Sequence, residues 1–172
     1  MMDESNVIKA LERSTLIDEL RDFEIRLLLE VLTKQRYGAG EFIAKHGDCP
    51  MRDALLILVD GCIEVSALVE GQVVMLELNE PGAIARVASF VGNPWSKIDA
   101  VIEVKAPSSV LLLDRAKLEG LLGKYPSIVY YVMRSLVRHV HSLARHKSAE
   151  VAELNSYLFG VPKISSGLIA RP

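Results

Sequence analysis

"ALLILVDGCIEVSALVEGQVVMLELNEPGA", residues 54–83, alternates short apolar runs with glycine breaks. Its first run, Ala54–Val59, is apolar throughout and reads as a short strand ended by the turn signal at Gly61. After Gly61, the residues Ile63, Val65 and Ala67 alternate with Glu64 and Ser66, the two-residue period of a half-buried strand. "VEGQVV" then breaks at Gly71, which supplies the positive φ of a tight turn and predicts a hairpin. The same grammar extends outward. Gly38, Gly40, Gly47, Gly82 and Gly92 separate further runs, including "DAVIEV" (99–104) and "SVLLLD" (109–114). Short strands with turn signals about every ten residues predict an antiparallel sandwich or barrel over 36–115.

Helical periodicity flanks this block. "FEIRLLLEVLTKQ", residues 23–35, places Phe23, Leu27, Leu28, Val31 and Leu32 at helical spacing, with Asp18 and Asp22 as candidate caps. "LDRAKLEGLLGKYPS" predicts a short helix stopped by Gly123 and Pro126. The longest pattern, 127–158, sets Val129, Met133, Leu136, Val137, Val140 and Leu143 on one face, with Arg134, Arg138, His141 and Arg145 opposite. The expected fold is mainly β with flanking helices. It forms one domain over 1–158: helical at 5–35, a roll at 36–115, helices at 116–158. A tail without periodicity, 159–172, follows.

Composition narrows the function. The chain has 172 residues, is half hydrophobic, and carries a net charge of −2. Its mean hydropathy of +0.25 points to buried or partner-covered surface. A general polyanion binder would be basic, so the stripe of Arg134, Arg138, His141 and Arg145 is read as a solvated helix face. Cys49 and Cys62 are too few for a disulfide framework and lack zinc spacing. The start "MMDESNVIKALERS" is not a signal peptide, and runs such as "ALLILV" are far too short to span a bilayer. The expectation is a cytoplasmic protein without membrane contact.

Enzymatic motifs are absent. There is no GxSxG, P-loop or dinucleotide fingerprint. His139 and His141 lie two apart on a predicted helix and so on different faces, and His46 stands alone, which disfavours a metal site.

The order of helix, small β-roll, short helix and long amphipathic helix resembles the cyclic nucleotide-binding domain family, which includes catabolite-activator and Fnr-type regulators. The resemblance rests on "YGAGEFIAKHGD" with Gly40, Ile43 and Gly47, on "LLILVDGCIEV" with Gly61, on "LNEPGA", and on "VLLLDRAKLEGLL". It covers residues 11–145 and implies a jelly-roll-like β-barrel.

It also locates a departure. In the resembled family, the cassette runs from Pro-Gly into a Gly-Glu that opens a one-turn helix. Backbone N–H groups there hold the cyclic phosphate, the Glu accepts from the ribose hydroxyl, and a later Arg neutralises the phosphate. Here the chain reads Pro81, Gly82, Ala83, Ile84, Ala85, Arg86, Val87, Ala88, Ser89, Phe90. Counting back from "VLLLDR" places Ala100 on the family's Ala, with Ile98 and Asp99 at the Arg slot and Lys97 as the nearest cation. The implied pocket residues are therefore Gly82, Ala83, Ile84, Ala85, Arg86, Val87, Ala88, Ser96, Lys97, Asp99 and Ala100. Arg86 and Asp99 fall near the Glu and Arg slots with reversed charge. They can form an ion pair that plugs the pocket, re-tune it for another small anionic ligand, or face solvent.

Hydrogen bonds to charged groups contribute about 1.5–3 kcal/mol each, so loss of both contacts weakens binding by roughly 10²- to 10⁴-fold. The reading is a non-enzymatic sensor or regulatory domain with weak or altered cyclic-nucleotide binding and no resident cofactor. The alternative is a ligand-free interaction module. By the same resemblance, the long helix forms a homodimer through Val129, Met133, Leu136, Val137, Val140 and Leu143. The family's DNA-binding module would need more chain than Gly160–Pro172 offers, so no specific DNA binding is expected.

Overall fold

The computed structural model describes residues 4–45, 53–69, 72–92 and 100–159. Helices α1 (Glu4–Arg13) and α2 (Asp22–Val31) precede the strands β1 (Leu32–Tyr37), β2 (Phe42–Ala44), β3 (Ala54–Val69), β4 (Gln72–Leu78) and β5 (Ile84–Ala85). Then come α3 (Val87–Val91), β6 (Ala100–Asp114), α4 (Arg115–Glu119) and α5 (Pro126–Phe159). The chain divides into residues 1–136 and residues 137–172.

All six strands join one antiparallel sheet, in the order β1-β6-β3-β4, with β2 on β6 and β5 on β3. Two long strands organise it. β3 pairs with β6 from Ala54↔Asp114 to Ala67↔Ala100, with register shifts between Leu58 and Ile63. At that irregularity Gly61 takes φ +97°, and the backbone N–H of Cys62 donates to Ser108 Oγ at 3.0 Å. The expected roll is present, but the described strands do not close into a barrel.

The apolar run of β3 is buried on both faces because each face meets a different core. Leu55, Ile57 and Val59, with Leu111 and Leu113 of β6, face a helical layer containing Val7, Leu11, Leu28, Leu118, Ile128 and Val132. Leu56 and Leu58, with Val110 and Leu112, face the inside of the roll with Ile43, Ile63, Ile102 and Val104. Phe90 of α3 is fully buried in the helical-side core.

The N-terminal helices differ from the sequence expectation in two respects. The helix expected over 23–35 ends at Val31. Leu32 turns to an extended conformation (φ −76°, ψ 134°), and residues 32–37 pair with β6 from Leu32↔Leu113 to Tyr37↔Ser108. Helix there would leave the C-terminal half of β6 without these ladder bonds, and tertiary pairing overrides local periodicity. Nor do the expected aspartates cap α2. Arg21 occupies the cap position, and its N–H donates to Glu24 Oε2 at 2.9 Å.

At the other end of the roll, Asp114 caps α4, accepting from the N–H of Ala116 at 2.8 Å and of Lys117 at 3.2 Å. Pro126 begins α5, a position where its missing N–H costs nothing.

Candidate functional site

The cassette lead is held from two sides. Gly82 has φ +90°. Its N–H donates to Leu58 O at 2.8 Å, and Leu58 N–H donates to Ala83 O at 2.9 Å. A Cβ on Gly82 would approach Arg13 Cβ at 2.6 Å and Ser14 N at 2.8 Å, so only glycine lets this turn seat on the end of α1. Ile84 and Ala85 then pair with Ile57 and Leu56 as β5. Alternation sends Ile84 into the helical-side core and Ala85 into the roll, beside Ala83.

Arg86 follows in the left-handed conformation (φ 68°, ψ 22°) and precedes α3, whose first residue is Val87. Arg86 is thus the residue before the one-turn helix, outside its first turn. Val87 packs against the helical-side core. Ala88 lies within α3. Burial lowers the pKa of the half-buried Arg86 guanidinium, against an opposing influence from the Asp53 carboxylate. Ser96, Lys97 and Asp99 lie outside the described residues, as does the Arg86–Asp99 ion pair. Ala100 opens β6 opposite Ala67.

One residue unmarked by the sequence reading organises the outer side of this site. Arg115 forms an ion pair with Asp53 at 3.0 Å and lies 3.8 Å from Glu119. It also donates to the carbonyls of Phe90 at 3.5 Å and Gly92 at 3.3 Å. It thereby ties the C-terminal end of α3 to α4 and to the start of β3. No local sequence signal reveals such a clamp, because its partners lie 23 and 25 residues away for the carbonyls and farther still for Asp53.

The inside of the roll is aliphatic. Ile43, Leu56, Leu58, Ile63, Ala85, Ile102, Val104, Val110 and Leu112 are buried there, flanked by Tyr37, Val65, Leu78 and Ala83. Among the described residues the buried charged side chain is that of Glu24, on α2, and the other buried polar residues are serines. The described residues do not contain three or more His, Cys, Asp or Glu groups placed to hold a metal.

The expected dimer stripe separates into two parts. Val129 and Leu136 are buried in the intrachain core, and Met133 is partly buried against it. Val137, Val140 and Leu143 are 67%, 47% and 52% exposed. On the basic stripe, Arg134 pairs with Glu19 at 3.1 Å. Arg138, His141, Ser142, Arg145 and His146 line a shallow concavity of about 400 Å³. Burial lowers the pKa of His139. Among the described residues, no helix is long and apolar enough to cross a membrane.

Neither a protein-family profile nor a curated protein matches the sequence. Solved structures do match. A cyclic nucleotide-binding domain from Methylobacillus flagellatus superposes with a TM-score of 0.69 at 19% identity, covering 96% of this chain and 88% of that one. The N-terminal domain of a transcriptional regulator from Streptomyces coelicolor A3(2) gives 0.63 at 18% identity, covering 78% and 94%. The catabolite activator protein of Thermus thermophilus gives 0.63 at 22% identity, covering 82% of this chain, which spans 63% of the length of that protein. The chain therefore has the fold of the cyclic nucleotide-binding domains.

Proposed function

We propose that this chain is a non-enzymatic, cytoplasmic regulatory domain of the cyclic nucleotide-binding type that works as a homodimer and binds cyclic nucleotides weakly or not at all. The carrying observation is the cassette. Its helix opens with Arg86-Val87 where the resembled family places Gly-Glu, and the roll behind it is aliphatic among the described residues. A cyclic nucleotide brings a phosphate charge and ribose hydroxyls, and burying these without partners costs several kcal/mol. The same aliphatic inner core favours the second reading, a ligand-free interaction module. Both readings leave Val137, Val140 and Leu143 of α5 for a second copy.

Titration calorimetry with cyclic AMP, cyclic GMP and a cyclic dinucleotide tests the proposal. Dissociation constants in the millimolar range, or no heat, are expected for all three. A low-micromolar constant for any of them overturns it.

A further inference from the structure

β4 is an edge of the sheet, and the side of it away from β3 has no strand partner among the described residues. Its seven pairings with β3, Ile63↔Leu78 to Val69↔Gln72, run without a bulge. Val73, Val74, Met75 and Leu76 are exposed on both faces, from 51% to 68%, as is Leu68 across the pair. Natural edges are protected by lysines, prolines or bulges. β1, at the other end of the strand order, carries Lys34 and Arg36. β4 carries none of these devices.

A charge pattern defines what would fit. Glu64 of β3 is paired in register with Glu103 of β6 on one side and with Glu77 of β4 on the other, a row of three carboxylates across three strands. Lys105 answers two of them, reaching Glu103 at 2.9 Å and Glu64 at 3.2 Å. Glu77, outermost and exposed, receives the amide of Asn79 at 3.4 Å and a hydrogen bond from the Cys62 thiol, both neutral donors, and no salt bridge within 4 Å links it to a cation among the described residues. Like charges set directly opposite across strands are unfavourable, and a cation in the next position of the row relieves them.

We propose that the free edge of β4 is a docking site for an extended segment of another protein, which adds as a strand and sets a Lys or Arg opposite Glu77. Main-chain hydrogen bonds to β4 give the affinity, and the alternate side chains of the segment lie over Val73–Leu76. A second copy of β4 fits less well, because "QVVMLEL" contains no cation.

Fluorescence anisotropy tests this with a labelled nine-residue peptide alternating valine and threonine around a central lysine. Its twin carries a central glutamate, and a third peptide is the lysine peptide with alternate amides N-methylated. The lysine peptide should saturate the protein at least tenfold more tightly than the glutamate twin, and N-methylation should abolish binding. Glu77→Lys, with unchanged circular dichroism, should reverse the preference. If that variant does not fold, Glu77→Gln must reduce the preference instead. Equal binding of the lysine and glutamate peptides, or binding that survives N-methylation, overturns the proposal. So does self-association that Met75→Lys abolishes while no peptide binds.

Discussion

Gly61 and Ser108 meet where β3 and β6 shift register, and the serine hydroxyl occupies the space that a side chain on residue 61 would need. A Cβ on Gly61 would also lie 2.5 Å from Pro107 O and 2.6 Å from Ser108 Cα. Ser108 Oγ accepts from Cys62 N–H at 3.0 Å and donates to Ala106 O at 2.6 Å, so the two strands are stitched at that point. Gly61→Ala adds both a clash with backbone and a left-handed alanine, since φ is +97°. The variant should lose roughly 2–4 kcal/mol in urea unfolding, in the range of strain combined with overpacking. Removing the hydroxyl as well, by Ser108→Ala, leaves the Pro107 carbonyl in place and should not restore stability. Gly38→Ala, whose nearest neighbour is the flexible Glu41 side chain at 3.7 Å, is the matched control and should change little.

Arg86 presents the opposite case, a bulky residue where glycine belongs. Its φ of 68° lies in the region that costs an L-residue about 1–2 kcal/mol. Its guanidinium is half-buried as well, with burial lowering its pKa. Arg86→Gly should therefore leave stability unchanged or raise it by up to about 1 kcal/mol, the relief of strain being set against glycine's greater unfolded freedom. Thermal melts read the outcome. A loss of more than about 1 kcal/mol would show that the Arg86 side chain stabilises the fold by more than its backbone strain costs.

Two kinds of residue separate what the sequence makes legible from what it does not. The runs 54–59 and 110–113, with Gly61 and Gly82, speak through local chemistry. Apolar continuity marks a strand, which the structure buries on both faces, and each of these glycines sits at positive φ. Those signals suffice for the roll and its flanking helices. Leu32 misleads because it continues the spacing of Leu28 and Val31, while its pairing with Leu113 is a long-range fact. The Arg115 clamp is hidden for the same reason. Val129, Met133 and Leu136 share a stripe with Val140 and Leu143, and periodicity alone cannot tell which part of a stripe the chain itself covers. The left-handed backbone of Arg86 is likewise silent in the sequence, since arginine carries no local signal for positive φ.

Glu24 links α2 to α5 and makes stability depend on acid. Its carboxylate is buried, accepts from the Arg21 N–H at 2.9 Å, and accepts from the Ser127 hydroxyl at 2.5 Å. The backbone bond from Arg21, then the Ser127 bond, hold its pKa below the ordinary 4.5, outweighing burial. A depressed folded-state pKa gives stability that is present above the unfolded value and is lost as pH falls through the folded one. Below about pH 4.5 the protein should lose this contribution progressively. Glu24→Gln should be less stable at pH 7, and its deficit should shrink as the pH is lowered through that window. Chemical denaturation at pH 7, 5, 4 and 3 gives the comparison. A deficit independent of pH would mean that the site contributes through packing rather than charge.

Val137, Val140 and Leu143 decide whether α5 pairs with a second copy. Val129 and Leu136, earlier on the same stripe, are already buried, so the stripe's exposed part begins at Val137. Leaving three aliphatic side chains in water forgoes up to roughly 1.5–3 kcal/mol for each one that could be fully buried, a driving force for pairing that the cost of association partly offsets. Replacing Val140 and Leu143 together with Glu should halve the molar mass seen by light scattering while leaving the circular dichroism spectrum unchanged. Because both side chains are about half exposed, the substitutions should cost the single chain little stability. Unfolding of the double variant would show instead that the stripe is covered within its own chain. A wild-type protein that is already monomeric at high micromolar concentration rules the dimer out.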